Sequence, residues 1–226
     1  MQTRDLRPAG DFARQYGVKM LAYGPPGSGK TPLINTAPRP VLLITEPGML
    51  SMRGSTVPAW EAPTVERIDE FFDWLFRSNE SKGFDTVGVD SVSQLAEIVV
   101  KAELKRNRDG RKAYGEMARK VLDHLTGLYY MQQKHTYLIA KQAMAEEEGT
   151  QVKKPYFPGQ ELGIQVPHLY DLIGHVAKTT VPGVQSQVLA IRTAPTFGIN
   201  APRDRSGRLN ELEQPDLTAL FKKAMS

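Results

Sequence analysis

The stretch Gly24-Pro25-Pro26-Gly27-Ser28-Gly29-Lys30-Thr31 decides the fold. It has the spacing G-x-x-x-x-G-K-[ST] of a phosphate-binding loop, and it lies where such a loop must lie. Before it, the apolar run over 18–23 reads as a buried strand. After it, Pro32 is tolerated in the first turn of a brief helix that runs to about Thr36. Glycines let successive backbone N–H groups curl around phosphate oxygens, and a helix N-terminus adds a positive end. Lys30 then supplies a point charge for the β- and γ-phosphates, while the Thr31 hydroxyl is a ligand for Mg²⁺. The expected ligand is a nucleoside triphosphate, ATP with Mg²⁺, held by residues 24–31.

Composition narrows the setting. A chain of 226 residues fills one core well and is small for two. No segment approaches the ~20 apolar residues of a membrane-crossing helix. The N-terminal residues lack the apolar centre of a secretion signal. With no cysteine, the chain has no disulfide, thiolate metal site or thiol nucleophile. The cytoplasm is the expected compartment. A formal charge of +4 is too mild to imply nucleic acid by itself, so its distribution matters more.

Residues 1–16 read as a short polar lead-in and 17–226 as a single domain. Further strands are expected at 40–45, 86–90 and 136–141, and helices at 64–76, 93–105 and 114–133. A long polar loop is expected after the fourth strand, then a hairpin pairing 175–180 with 186–192 about Pro182-Gly183, and a last helix near 215–225. This alternation predicts an α/β fold: a mainly parallel twisted sheet flanked by helices, extended by a C-terminal antiparallel hairpin. Ligands of such sheets bind at the carboxyl ends of the strands.

The candidate chemical groups all fall at those ends. Asp90 closes the third strand and is placed to position Mg²⁺ opposite Thr31, or else to cap the helix that follows. Glu46 ends the second strand, where a carboxylate can orient and polarise a water in line with the γ-phosphate. Asp85 precedes its strand and belongs at the wrong end; Glu146, Glu147 and Glu148 read as a solvated run. Lys141 and Gln142 close the fourth strand, where a polar side chain can report loss of the γ-phosphate, or where a strand simply ends.

In order, the phosphate loop, Leu43-Ile-Thr-Glu46, Val89-Asp90-Ser91-Val92 and Leu138-Ile-Ala-Lys-Gln142 resemble the RecA-type ATPase core over residues 17–142. The likeness is closest to short phage RecA-like single-strand annealing proteins of the Sak (four) type. These also place a very short helix after the phosphate loop and carry a basic segment near the C-terminus, similar to Arg203-Asp-Arg205. The resemblance implies that Glu46 activates water, that Asp90 positions Mg²⁺ and that Gln142 links the γ-phosphate to a DNA-binding loop. It also implies that Arg203 and Arg205 reach the nucleotide site of a neighbouring subunit. Two departures stand out. Ile44 occupies a position where the family often has an acid, and the N-terminal oligomerisation element is missing or very short, leaving rings or short filaments open.

Six cations crowd the segment 101–112: Lys101, Lys105, Arg106, Arg108, Arg111 and Lys112. An Asn-Arg-Asp-Gly centre predicts a loop there that either tracks a phosphate backbone or is a solvated helix end. A second candidate within 143–166 holds Lys153, Lys154, Tyr156 and Phe157, whose rings either stack on bases or pack the loop onto the sheet. The histidines at 124, 135, 168 and 175 lack metal-ligand spacing and read as packing or surface residues, and Trp60 and Trp74 as anchors. The sequence thus points to an ATP-dependent recombination protein that binds single-stranded DNA as a homo-oligomer, with a single-strand-binding protein as a possible partner and no membrane. A small-molecule kinase and a regulatory ATPase switch are the alternatives.

Overall fold

The computed structural model describes residues 6–180, 183 and 185–226. Strand β1 (Lys19–Tyr23) lies between β5 (His135–Ala140) and β8 (Leu172–Thr179), parallel to both. Beyond β5 follow β4 (Thr86–Asp90), β2 (Pro40–Ile44) and the short β3 (Ala59–Glu61), all parallel. Beyond β8 the direction reverses. There β9 (Val188–Arg192) pairs with residues 175–179, β10 (Arg203–Asp204) pairs with residues 172–173, and β11 (Leu212–Glu213) extends β9. The expected α/β sheet with an antiparallel extension is the fold observed.

Burial on both faces explains why β1, β4 and β5 read as near-continuous apolar runs. Alternate residues of β1 serve two cores: Leu21 and Tyr23 face one side, Met20 and Ala22 the other. The first side is covered by α2 (Val65–Arg77), α3 (Val92–Arg106), α4 (Gly110–Tyr130) and α5 (Gln160–Leu169). In α2, Val65, Ile68, Phe72 and Leu75 recur at helical spacing and are buried, and the Thr64 hydroxyl caps the first turn by accepting from Arg67 N. Trp60 stacks on Trp74 at 6.1 Å, so both tryptophans do anchor the fold's edge. A short helix α1 (Ala9–Gln15) precedes β1.

The second side is covered by less. A 3-10 segment, Pro32–Thr36, follows the phosphate loop, and α6 (Leu217–Ala224) packs over it with Leu217, Leu220 and Phe221. Thr36 ties the two together: its hydroxyl accepts from Leu217 N at 2.8 Å and its carbonyl accepts from the Thr218 hydroxyl at 2.6 Å. The helix expected after the loop is therefore present only as one tight turn, which gives bound phosphate little dipole support.

The long polar loop expected after the fourth strand is not a loop. Residues 142–155 form a hairpin, β6 (Gln142–Glu147) with β7 (Thr150–Pro155), turning on Glu148 and Gly149, which both have positive φ. The chain then enters α5.

His135 sits in the second core. Its Nδ1 accepts from Val18 N at 3.0 Å and its ring stacks on Phe221 at 4.6 Å. Burial, reinforced by Lys19, pushes its pKa down to about 4, while Asp85 opposes the shift. The unfolded chain therefore takes up this proton near pH 6.5 and the folded one only near 4, so the histidine's contribution is intact above 6.5 and drains away as pH falls toward 4. Thermal melts between pH 7 and 4.5 should show a steeper loss of Tm for the natural chain than for His135→Asn; equal slopes would remove His135 from the account.

Candidate functional site

Parallel register brings the strand ends into one row: Ile44 pairs with Asp90, Asp90 with Ile139, Ala140 with Tyr23 and Tyr23 with His175. The residues that follow these ends therefore cluster on the carboxyl edge. The phosphate loop leaves β1 there with its first glycine pressed against β8, where a Cβ on Gly24 would collide with the Val176 carbonyl oxygen. At Gly29 the backbone has φ of 86°, a conformation side chains rarely adopt. Beneath the loop, the buried Tyr137 donates its hydroxyl hydrogen to Lys30 O at 2.9 Å.

Lys30 curls over the loop, its Nζ donating to Gly24 O and Pro25 O, each at 2.8 Å. Burial lowers its pKa, opposed by the charges of Asp90 and Glu46. The Thr31 hydroxyl donates to Asp90 Oδ2 at 2.5 Å. Asp90 is buried, and that burial raises its pKa despite the Thr31 hydrogen bond and Lys30. A carboxylate short of counter-charge beside a hydroxyl oxygen is a donor pair suited to Mg²⁺, which takes one or two protein oxygens and completes its shell with phosphate and water. Thr31 and Asp90 would hold that ion. The described residues contain no group of three or more His, Cys, Asp or Glu arranged for a metal.

Glu46 is fixed from the next strand. Thr45 grips Ser91 twice, donating its hydroxyl hydrogen to Ser91 O at 2.8 Å and accepting from Ser91 N at 3.0 Å. Ser91 in turn donates its hydroxyl hydrogen to Glu46 Oε1 and accepts from Gln94 N as the cap of α3. Capping thus falls to Ser91, which leaves the Asp90 carboxylate to the loop.

The two residues that follow β5 part company, as the alternation of an extended chain requires. Lys141 turns toward Glu46, 3.6 Å from its Oε1, and is held by Gln94 Oε1 at 2.8 Å and by Glu97 at 3.1 Å. Gln142 turns the other way, its Oε1 2.9 Å from His175 Nε2. Burial, aided by Lys153, Arg192 and Lys30, pushes His175 down to about 4. The ring is therefore neutral at physiological pH, and its Nε2–H donates to Gln142. His175 also lies 5.0 Å from the Tyr23 ring, whose hydroxyl donates to Lys153 O of β7. Nothing in the local sequence around His175 signals this role; only the β1–β8 register does.

The basic segment lies at a helix–helix link. Lys105 and Arg106 end α3, Arg108 stands in the three-residue connection, and Arg111 and Lys112 open α4, all exposed. Asp109 caps α4 by accepting from Arg111 N at 2.9 Å. The expected loop is thus brief. In the second segment, Phe157 lies in the main core, so of the two readings packing is the one observed and base stacking by this ring is excluded. Tyr156 is half-buried, Lys154 pairs with Glu147 within the hairpin, and Lys153 lies toward His175. Arg203 and Arg205 sit at the amino end of the sheet, away from the phosphate loop. Arg203 donates to Pro167 O and Tyr170 O, and Arg205 donates to His168 O, so both are engaged by their own chain.

A glycine-rich loop at the end of β1 and an acid two strands away on β4, with β5 inserted between them, make this a P-loop nucleotide-binding fold. The chain belongs to the AAA domain family, which matches residues 16–198. Among solved structures it is similar to the KaiC-like protein PH0186 from the hyperthermophilic archaeon Pyrococcus horikoshii OT3, at 14% identity over 78% of each chain and a TM-score of 0.45. No curated protein matches it.

Gly24→Ala should push the loop off β8 and abolish Mg²⁺-dependent nucleotide binding in a fluorescent-nucleotide titration. Binding within twofold of the natural chain would show that the close approach to Val176 is not needed.

Proposed function

We propose that this protein is an ATP-dependent recombination protein of the phage type that binds single-stranded DNA and promotes annealing or strand pairing. One observation carries the reading: the cationic end of α3 lies against the segment that bears Glu46. Lys101, Lys105 and Arg106 line the same cleft as Thr45 and Pro47. A polyanion on this surface is within reach of the hydrolytic centre, which suits an ATPase answering to nucleic acid.

Each residue then has a task. The loop amides and Lys30 hold the triphosphate; Mg²⁺, when bound at Thr31 and Asp90, neutralises charge on the phosphates. Glu46 accepts the proton of the attacking water, and Ser91 fixes the carboxylate's direction. Gln142, oriented by neutral His175, lies at the root of the β6–β7 hairpin, so a change at the γ-phosphate moves the hairpin's base. Subunits assemble as a ring or short filament in the cytoplasm, with single-stranded DNA as ligand. Among the described residues no helix is long and apolar enough to cross a membrane. The kinase alternative would use the 106–112 stretch as an acceptor lid, but its place in two capped helices speaks against a hinged lid.

Lys30→Ala should abolish ATP turnover, and Glu46→Gln should lower it by ~10²–10⁴ while nucleotide still binds. Single-stranded DNA should raise the natural chain's ATPase rate. Phosphate transfer to a nucleotide or metabolite, with no response to DNA, would refute the recombination reading.

A further inference from the structure

The cleft that joins α3 to the Glu46 strand has more in it than the cations at the helix link. It measures about 530 Å³ and runs between the first turn of α2 and the outer stripe of α3. Gln94, Ile98, Lys101 and Lys105 recur at helical spacing along its wall. Lys101 and Lys105 are exposed, and among the described residues neither forms an ion pair. Arg106 completes the cationic rim beside its own Glu103, while Glu66 is the one carboxylate among the lining residues.

At the inner end of this stripe, Gln94 accepts from the Lys141 ammonium, which stands 3.6 Å from Glu46 and is shared with Glu97. This ion pair ties up the carboxylate to which the proposed function gives the attacking water. Lys141 thus bridges Gln94 on the cleft wall and the acid Glu46.

We propose that this cleft is the seat of a single-stranded nucleic acid's phosphates, held by Lys101 and Lys105, and that Lys141 is a latch on Glu46 which the bound strand releases. The proposal rests on the DNA-binding reading above and adds to it a place and a coupling. A phosphate seated beside Gln94 competes with Glu46 for the Lys141 ammonium. Drawn toward the strand, the cation leaves the carboxylate free to take the proton from water. Lys141 acts through Glu46 and is a positioning residue.

The test uses fluorescein-labelled oligo-dT, anisotropy at several salt concentrations, and steady-state ATPase with and without the oligonucleotide. The double substitution Lys101→Ala/Lys105→Ala lies on the surface and should weaken binding and reduce the log–log salt slope by ~1.4, two phosphate contacts on a single strand. Lys141→Met should bind oligo-dT a few-fold more weakly, having lost the cation that the strand draws over, yet hydrolyse ATP without DNA at close to the DNA-stimulated rate, with the change in kcat rather than KM; Lys141→Arg should restore DNA dependence. If the natural chain binds oligo-dT and the double variant binds it with equal affinity and slope, the cleft assignment falls while the proposed function stands. If Lys141→Met keeps the natural stimulation ratio, or loses turnover in both conditions, the latch falls. If the natural chain binds no oligonucleotide at all, both readings fall together.

Discussion

Insertion of β5 between β1 and β4 is the constraint on which the site depends. It sets the phosphate loop and Asp90 two strands apart, a span that the Thr31 side chain bridges by its hydrogen bond to the carboxylate. It also brings the end of β5 between them, so that Lys141 and Gln142 emerge beside the nucleotide site on opposite sides. Parallel pairing makes this automatic: every strand end on this edge points the same way, and no loop has to fold back to bring its residue into place.

The acids differ because their surroundings differ. Asp90 is buried and hydrogen-bonded to the Thr31 hydroxyl, and burial raises its pKa despite that bond and the charge of Lys30, a setting that suits a hard cation. Glu46 is part-exposed, steered by Ser91 and faced by Lys141, an arrangement for a carboxylate that must meet water. The polar residues beside them, Thr45 and Ser91, couple β2 to β4 through side-chain bonds beyond the last ladder pair. Mechanical and chemical roles therefore meet in the same few residues.

Much of this was legible in the chain. Four of the parallel strands, β1, β2, β4 and β5, announce themselves as apolar runs, and the phosphate loop, Glu46 and Asp90 follow from their positions at run ends. Alternation alone separates Lys141 from Gln142. What escaped detection lacks a pattern. Strand β6 reads Gln-Ala-Met-Ala-Glu-Glu, with no β-branched residue and two acids, so its pairing comes from the Glu148-Gly149 turn and Val152 rather than from propensity. Helix α5 is masked by Gly163 and Pro167. His175 is a lone histidine in the sequence and gains a partner only when β8 aligns with β1. Phe157 is equally apt in the sequence for a base or a core, and only its burial in the main core decides.

The tight turn between the phosphate loop and β2 has one more consequence. Pinned at Thr36 by the C-terminal helix and stiffened by Pro32 and Pro38, this connector has no slack to absorb movement. On the function proposed above, a shift of Thr31 would be handed on to the strand that leads to Glu46, much as a short rod transmits a push that a cord would lose. The final helix, remote from this connector in sequence, is thereby the point that would hold it still.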